Sequence, residues 1–256
     1  MSLMKFRLIG WTVVMIIVIA MMYVASQKRK AKQAKPKQSP GIEIEFVPTE
    51  ERTFDEQIQA VRNGEQENIL IEFSELKDDD LAKLSGLKNL KMLQVDDGRI
   101  TDNGIKHLAS LENLEHLRLR HSPITDAGLA QLAQFPNLRW LNLPQADFTD
   151  AGLAELAKLP NLEFLRFSSE NVTDAGIAEI ATYPSLRILH TIDVPLTDAS
   201  LPHIIKMKKL ESLYVDGAKL TDDGIAKLFE ARGDDLHFHQ DQRHHDLDPR
   251  KNSHRH

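Results

Sequence analysis

The chain of 256 residues contains no cysteine. That absence excludes disulfide bridges, thiolate-bound zinc and a cysteine nucleophile, and it leaves the compartment unidentified. Also missing are G-x-S-x-G, G-x-x-x-x-G-K-[ST], H-E-x-x-H and G-x-G-x-x-G. Those phrases build a nucleophile elbow, a phosphate loop, a zinc-protease helix and a dinucleotide turn. The serines have no base visibly arranged with them, and caps and solvated faces account for the many carboxylates. The sequence therefore argues for no enzyme and no cofactor.

Acidic residues are missing from one stretch only. Residues 1–40 hold eight Lys or Arg and no Asp or Glu. The remainder carries 24 basic against 38 acidic residues, a formal −14 that the whole-chain −6 conceals. An acidic body argues against nucleic acid as a partner, since phosphate binding needs a basic surface.

After a short flank at 1–7, residues 8–25 read LIGWTVVMIIVIAMMYVA, eighteen residues without a charge. At about 1.5 Å per residue a helix there reaches roughly 27 Å, near the hydrocarbon thickness of a bilayer. Trp11 and Tyr23 stand near its two ends, where amphipathic rings favour the interface. The expectation is a single uncleaved transmembrane anchor. A cleaved signal peptide is the alternative, with Val24-Ala25-Ser26 as the cleavage site. Lys5 and Arg7 precede the span, whereas Lys28, Arg29, Lys30, Lys32, Lys35 and Lys37 follow it. Basic flanks stay on the cytoplasmic side, so the body is expected in the cytoplasm. The linker at 26–40 has like charges, two prolines and no apolar periodicity, and is expected to be disordered. It serves as a spacer, a topology signal, or a contact for anionic lipid headgroups.

The body repeats itself. TDNG at Thr101, TDAG at Thr125, Thr149 and Thr173, TDAS at Thr197 and TDDG at Thr221 follow one another at 24-residue intervals. Each opens a helical phrase such as GLAELAKL at 152–159, with apolar residues at i, i+3 and i+4. Thr or Asp supplies the N-cap oxygen, and Pro136, Pro160 and Pro184 stop three of the helices. An extended phrase follows: NLKMLQV, NLEHLRL, NLRWLNL, NLEFLRF, SLRILHT and KLESLYV, with alternating anchors as in a half-buried strand. No unit encloses a core alone, so the units must stack, strands beside strands and helices beside helices.

L-x-x-L-x-L with an apolar residue five positions on resembles the leucine-rich repeat. The form TDAGLAxLA…LPNLxxL is similar to the ribonuclease-inhibitor-like and F-box-associated types and to bacterial proteins built from them. The resemblance covers about residues 65–235. It implies an α/β, right-handed solenoid with a parallel sheet on the concave face and helices on the convex face, preceded here by the transmembrane helix. The solenoid is expected over 41–240, with degenerate cap units at 41–88 and a His-rich disordered tail at 241–256. One departure stands out. Where the family places Asn, Cys or Thr after the strand, this chain has Gly98, Ser122, Ala146, Glu170, Val194 and Ala218. The turns must be satisfied otherwise, with the Thr-Asp pairs as one candidate. The TD-x-G phrase is itself read as structural, because copies spread along a stack do not converge on one ligand. Ser200 breaks its glycine column and Pro202 follows it, so irregularity is expected in that unit.

Strand residues between anchors form columns about 4.8 Å apart, so a column describes a strip of surface. Lys91, Glu115, Arg139, Glu163, Arg187 and Glu211 alternate in charge, which suits a structural ion-pair ladder. Met92, His116, Trp140, Phe164, Ile188 and Ser212 form a mainly apolar strip, and such strips mark partner sites. Beside it run Gln94, Arg118, Asn142, Arg166, His190 and Tyr214 as a polar rim. The candidate partner-binding set is Met92, His116, Arg118, Trp140, Asn142, Phe164, Arg166, Ile188, His190 and Tyr214. The competing reading has Trp140 and Phe164 stacked on each other beneath nearby loops.

Six of the eleven histidines fall within residues 237–256: His237, His239, His244, His245, His254 and His256. Imidazoles near Asp suit divalent transition metals, but the irregular spacing designates no ligand set. The expected function is a membrane-tethered scaffold or adaptor that binds a protein on its concave face. The alternative is an exported envelope protein binding metal or an anionic ligand through the tail or the concave arginines. A substrate receptor for a degradation machine ranks last, since no F-box-like helical module precedes the repeats.

Overall fold

The structure, a computed structural model, describes residues 52–72, 75–241 and the backbone of 243–244. The span at 8–25, the linker at 26–40, the first part of the expected cap units up to residue 51 and most of the tail lie outside the described residues. Among the described residues no helix is long and apolar enough to cross a membrane.

Strands and helices alternate. The helices are α1 (Phe54–Arg62), α2 (Asp102–His107), α3 (Asp126–Leu132), α4 (Asp150–Leu156), α5 (Asp174–Ile180), α6 (Leu201–Lys206) and α7 (Asp222–Arg232). The strands are β1 (Asn68–Ile71), β2 (Met92–Val95), β3 (His116–Leu119), β4 (Trp140–Leu143), β5 (Phe164–Phe167), β6 (Ile188–Ile192), β7 (Ser212–Asp216), β8 (His237–Gln240) and β9 (Arg243–His244). A 3-10 stretch at Asp78–Leu84 stands where the first full helix would be. All nine strands form one sheet in chain order, parallel from β1 to β8 and closed by β9 antiparallel to β8. From β2 to β7 the register advances by one repeat per strand: Met92, His116, Trp140, Phe164, Ile188 and Ser212 are successive partners.

One side of each strand is buried against the helices. In the β4–α4 unit Leu138, Leu141, Leu143, Phe148, Leu153 and Leu156 are all fully buried. Each such side chain is worth about 1.5–3 kcal/mol in removed apolar surface, before ordering entropy is set against it. Helices α3, α4 and α5 end at Leu132, Leu156 and Ile180, four residues ahead of the prolines. Proline therefore lies beyond each helix and bars its continuation, and does not itself cap it.

The Thr-Asp phrase joins the slabs. Each of the six threonines is an N-cap in extended conformation whose hydroxyl accepts from a backbone amide of the first turn. In the first five the aspartate that follows reaches forward to the next repeat. Asp126 accepts from the amide and the hydroxyl of Thr149 at 2.7 and 2.8 Å. The same pair of bonds links Asp78 to Thr101, Asp102 to Thr125, Asp150 to Thr173, Asp174 to Thr197 and Asp198 to Thr221. Glycine makes room for it: a Cβ on Gly152 would sit 2.3 Å from Asp126 Oδ1. Ser200 occupies that position in one repeat, and there the chain begins with a 3-10 turn, Asp198–Ser200, before α6. Its buried hydroxyl donates to the carbonyl of Thr197 at 2.8 Å.

Both ends are closed by side chains. At β1, buried Gln57 of α1 takes the place of a neighbouring strand. Its Nε2 donates to the Leu70 carbonyl and its Oε1 accepts from the Leu70 amide, each at 2.9 Å. Pairing an edge in this way removes a template for aggregation. A capping box between Thr53 and Glu56 fixes the start of α1. At the other end, buried Arg232 donates to the carbonyls of Ile204, Met207 and Leu210 at 3.2, 3.0 and 2.6 Å, closing the end of α6 and its loop. The turn after the strands has its own column, with His121, Gln145, Asp193, Gly217 and Asp241 all at φ between 51° and 76°.

Candidate partner-binding face

The side of the sheet away from the helices carries three adjoining columns. In the first, Lys91 pairs with Glu67 at 2.7 Å, Arg139 with Glu163 at 2.9 Å and Arg187 with Glu211 at 2.9 Å. Arg139–Glu115 and Arg187–Glu163 are longer, at 3.9 and 3.7 Å. The hydrogen bonds that Arg187 donates to Glu211 raise its pKa. The alternating charges are a ladder, extended upstream by Glu67. It leaves this column with little net field.

The second column is a stacked strip. The His116 and Trp140 rings lie 5.5 Å apart at 9°, and Trp140 and Phe164 lie 4.1 Å apart at 7°. Met92 and Ile188 continue the strip on either side, all five half-buried. Parallel strand pairing causes the stacking, since it puts equivalent side chains one strand spacing apart. The strip ends at Ser212, which is buried. Burial pulls the His116 pKa below its ordinary value.

In the third column Arg118 Nε lies 2.9 Å from Asp96 Oδ1, and His190 Nε2 lies 3.0 Å from Asp216 Oδ2. Burial lowers the His190 pKa, with Asp216 opposing it. Tyr214 packs against His190 and His239, with ring centres 5.2 and 4.9 Å apart. The structure thus places all ten candidate residues on one sheet face, in two columns. Four of their polar atoms are shielded from water without a hydrogen-bond partner: Arg118 Nε, which keeps its ion pair with Asp96, and Trp140 Nε1, Asn142 Oδ1 and Arg166 Nε, which have no such contact. The sequence gives no sign of this, because it depends on which neighbours are already engaged.

The histidine-rich end presents His237 and His239, whose Nε2 atoms are 2.6 Å apart. Among the described residues no group of three or more His, Cys, Asp or Glu could hold a metal ion.

Residues 110–133 match a family model described as a leucine-rich repeat. No curated protein matches the sequence. Among solved structures, internalin C2 of Listeria monocytogenes is similar, with a TM-score of 0.56 and 22% identity over 72% of this chain and 74% of that one. The internalin inlF of the same organism has a TM-score of 0.55 and 20% identity over 73% of this chain. The match spans only 51% of the inlF chain. Both likenesses are of fold. Together with the repeated phrase and its slab-by-slab register, they show a leucine-rich-repeat fold.

Proposed function

We propose that the chain is a membrane-tethered scaffold or adaptor whose open sheet face binds another protein. The observation that carries this reading is the strip from Met92 to Ile188, where His116, Trp140 and Phe164 stack in register on a face that none of the described helices covers. Contiguous apolar surface bordered by polar residues is the usual mark of an interface, and Trp beside Arg is its usual anchor. A preformed sheet also loses little ordering entropy when it binds. The acidic body speaks against nucleic acid.

The tether is the charge-free segment 8–25, and the basic excess after it supports a cytoplasmic body. Capture from membrane extracts tests the binding face. A Trp140→Ala, Phe164→Ala double variant should lose about thirtyfold or more in partner affinity while its circular dichroism spectrum is unchanged. Full capture by a folded double variant would refute the assignment. The compartment has its own test, because the chain has no cysteine. A Ser253→Cys variant should react with an impermeant maleimide only after lysis. Reaction in intact cells with a permeabilised outer envelope would favour the exported reading.

A further inference from the structure

The cations of the open face are not equally engaged. Arg139 and Arg187 are held in the glutamate ladder, and Arg118 lies against Asp96. Arg166 makes neither a hydrogen bond nor an ion pair with a described residue, and its half-buried Nε is sealed from water. Its partners in register are neutral Asn142 and His190. The negative charge of Asp216 acts on Arg166 favourably, while Arg118 and Arg120 add positive potential. Beside Arg166, Asn142 Oδ1 and Trp140 Nε1 are also without hydrogen-bond partners. Trp140 and Asn142 are two residues apart on β4, and Asn142 is the cross-strand partner of Arg166. Strand geometry puts the three within about 7 Å of one another. A buried donor or acceptor left unmade is unfavourable, so these three neighbouring atoms point to a group that arrives from outside.

We infer that Arg166 is the recognition point for a carboxylate on the bound protein, an Asp or Glu side chain carried about 7 Å from an apolar side chain that rests on Trp140 and Phe164. This deepens the protein-binding reading and rests on it. A single carboxylate fits and a polyanion does not. In the column next to the aromatic strip Lys91, Arg139 and Arg187 are already paired with glutamates, so a phosphate backbone lying along the face would find no row of unpaired cations there. A lone carboxylate beside Arg166 meets Arg118 and Arg120 instead. Its bond to a half-buried guanidinium is charge-assisted and planar, the geometry in which arginine surpasses lysine. The same partner segment supplies an apolar contact for the rings, and the indole N–H and Asn142 remain to fix its backbone.

Selection of a random peptide library displayed on phage, against the full chain in detergent, tests this directly. The wild type should enrich sequences pairing Asp or Glu with an aromatic or aliphatic residue. Amide replacement of that acid in a synthetic winner should weaken binding by about tenfold or more. Arg166→Gln should erase the acid preference but still enrich apolar sequences, and Arg166→Lys should restore it in part. Winners without acid bias, or an unchanged bias in Arg166→Gln, would overturn the inference and leave the docking face standing. Inorganic phosphate competing as well as the acidic peptide would likewise overturn it in favour of a free-anion site. No enrichment by the wild type, or equal enrichment by the Trp140→Ala, Phe164→Ala variant, would count against the docking face itself.

Discussion

The carboxylate of Asp126 accepts hydrogen bonds from both the backbone amide and the side-chain hydroxyl of Thr149, one repeat further on. The threonine hydroxyl in turn accepts from the amide of Ala151 at 3.2 Å. One side chain therefore fastens the N-terminus of the next helix and the cap that starts it. The stack depends on this relay being copied in every slab. Asp126→Asn keeps the size but replaces one acceptor oxygen with a donor, which faces the Thr149 hydroxyl. The expected loss is about 1–2 kcal/mol, discounted for partial exposure, and urea unfolding measures it. Gly152→Ala should destabilise by about 1–3 kcal/mol despite alanine's better helix propensity, because its Cβ would meet the same carboxylate.

Acid should loosen the last link. Hydrogen bonds from the Thr221 hydroxyl and amide hold the Asp198 carboxyl below its ordinary pKa of 3.8. A depressed carboxyl contributes stability above its unfolded pKa and loses it as pH falls through the folded value. Unfolding midpoints should therefore fall below about pH 4, and less steeply in Thr221→Val. An identical acid slope in both proteins would contradict this.

The histidines act in a higher window. Burial lowers the pKa of both His116 and His190. Well above the unfolded value neither state is protonated, and the two contribute no pH dependence. As pH falls through about 6.5 the unfolded chain takes up protons first, so stability declines until the folded values are passed. His116→Phe keeps a ring in the strip and should flatten the decline between pH 7 and 5 in urea titrations.

Left-handed turns offer a gain. Gln145 adopts φ 69° in the column where Gly217 has 76°. A non-glycine residue there is strained by about 1–2 kcal/mol, partly offset by glycine's greater freedom in the unfolded chain. Gln145→Gly should raise stability by about 0.5–1 kcal/mol, as read by thermal or urea unfolding.

Arg232→Met tests the C-terminal closure. It leaves three buried carbonyls without their donor, and the expected loss is about 3 kcal/mol or more. Calorimetry should show a lower melting temperature, and hydrogen exchange should show the backbone amides at the end of α6 losing protection first.

The slabs, their register and the charge ladder are legible in the sequence because each residue's environment repeats when the sequence repeats. Trp140 can be placed beside Phe164 from the 24-residue interval alone. The aspartate–threonine bonds share that interval, yet a helix cap already explains both residue types, which hides the link to the next repeat. The recurring glycine is the clue, since it sits where the carboxylate needs space. Gln57 and Arg232 are one-off solutions at the two ends and follow no period; each reads as an ordinary helix residue. The turn column escapes notice because His121, Gln145 and Asp193 share a backbone conformation and no chemistry. At the candidate site the columns are readable. The vacancy at Arg166 depends on which acids the neighbouring arginines have already taken.

Site-specific photo-crosslinking tests the central claim, that the stack is a frame and the open sheet face is where a partner binds. A photoreactive phenylalanine placed at Met92, at the end of the strip, is compared in cells with one at Ala127, exposed on α3. The account predicts a discrete crosslinked protein from Met92, lost when Trp140 and Phe164 are alanine, and none from Ala127. Equal crosslinking from both positions, or a product only from Ala127, would contradict it.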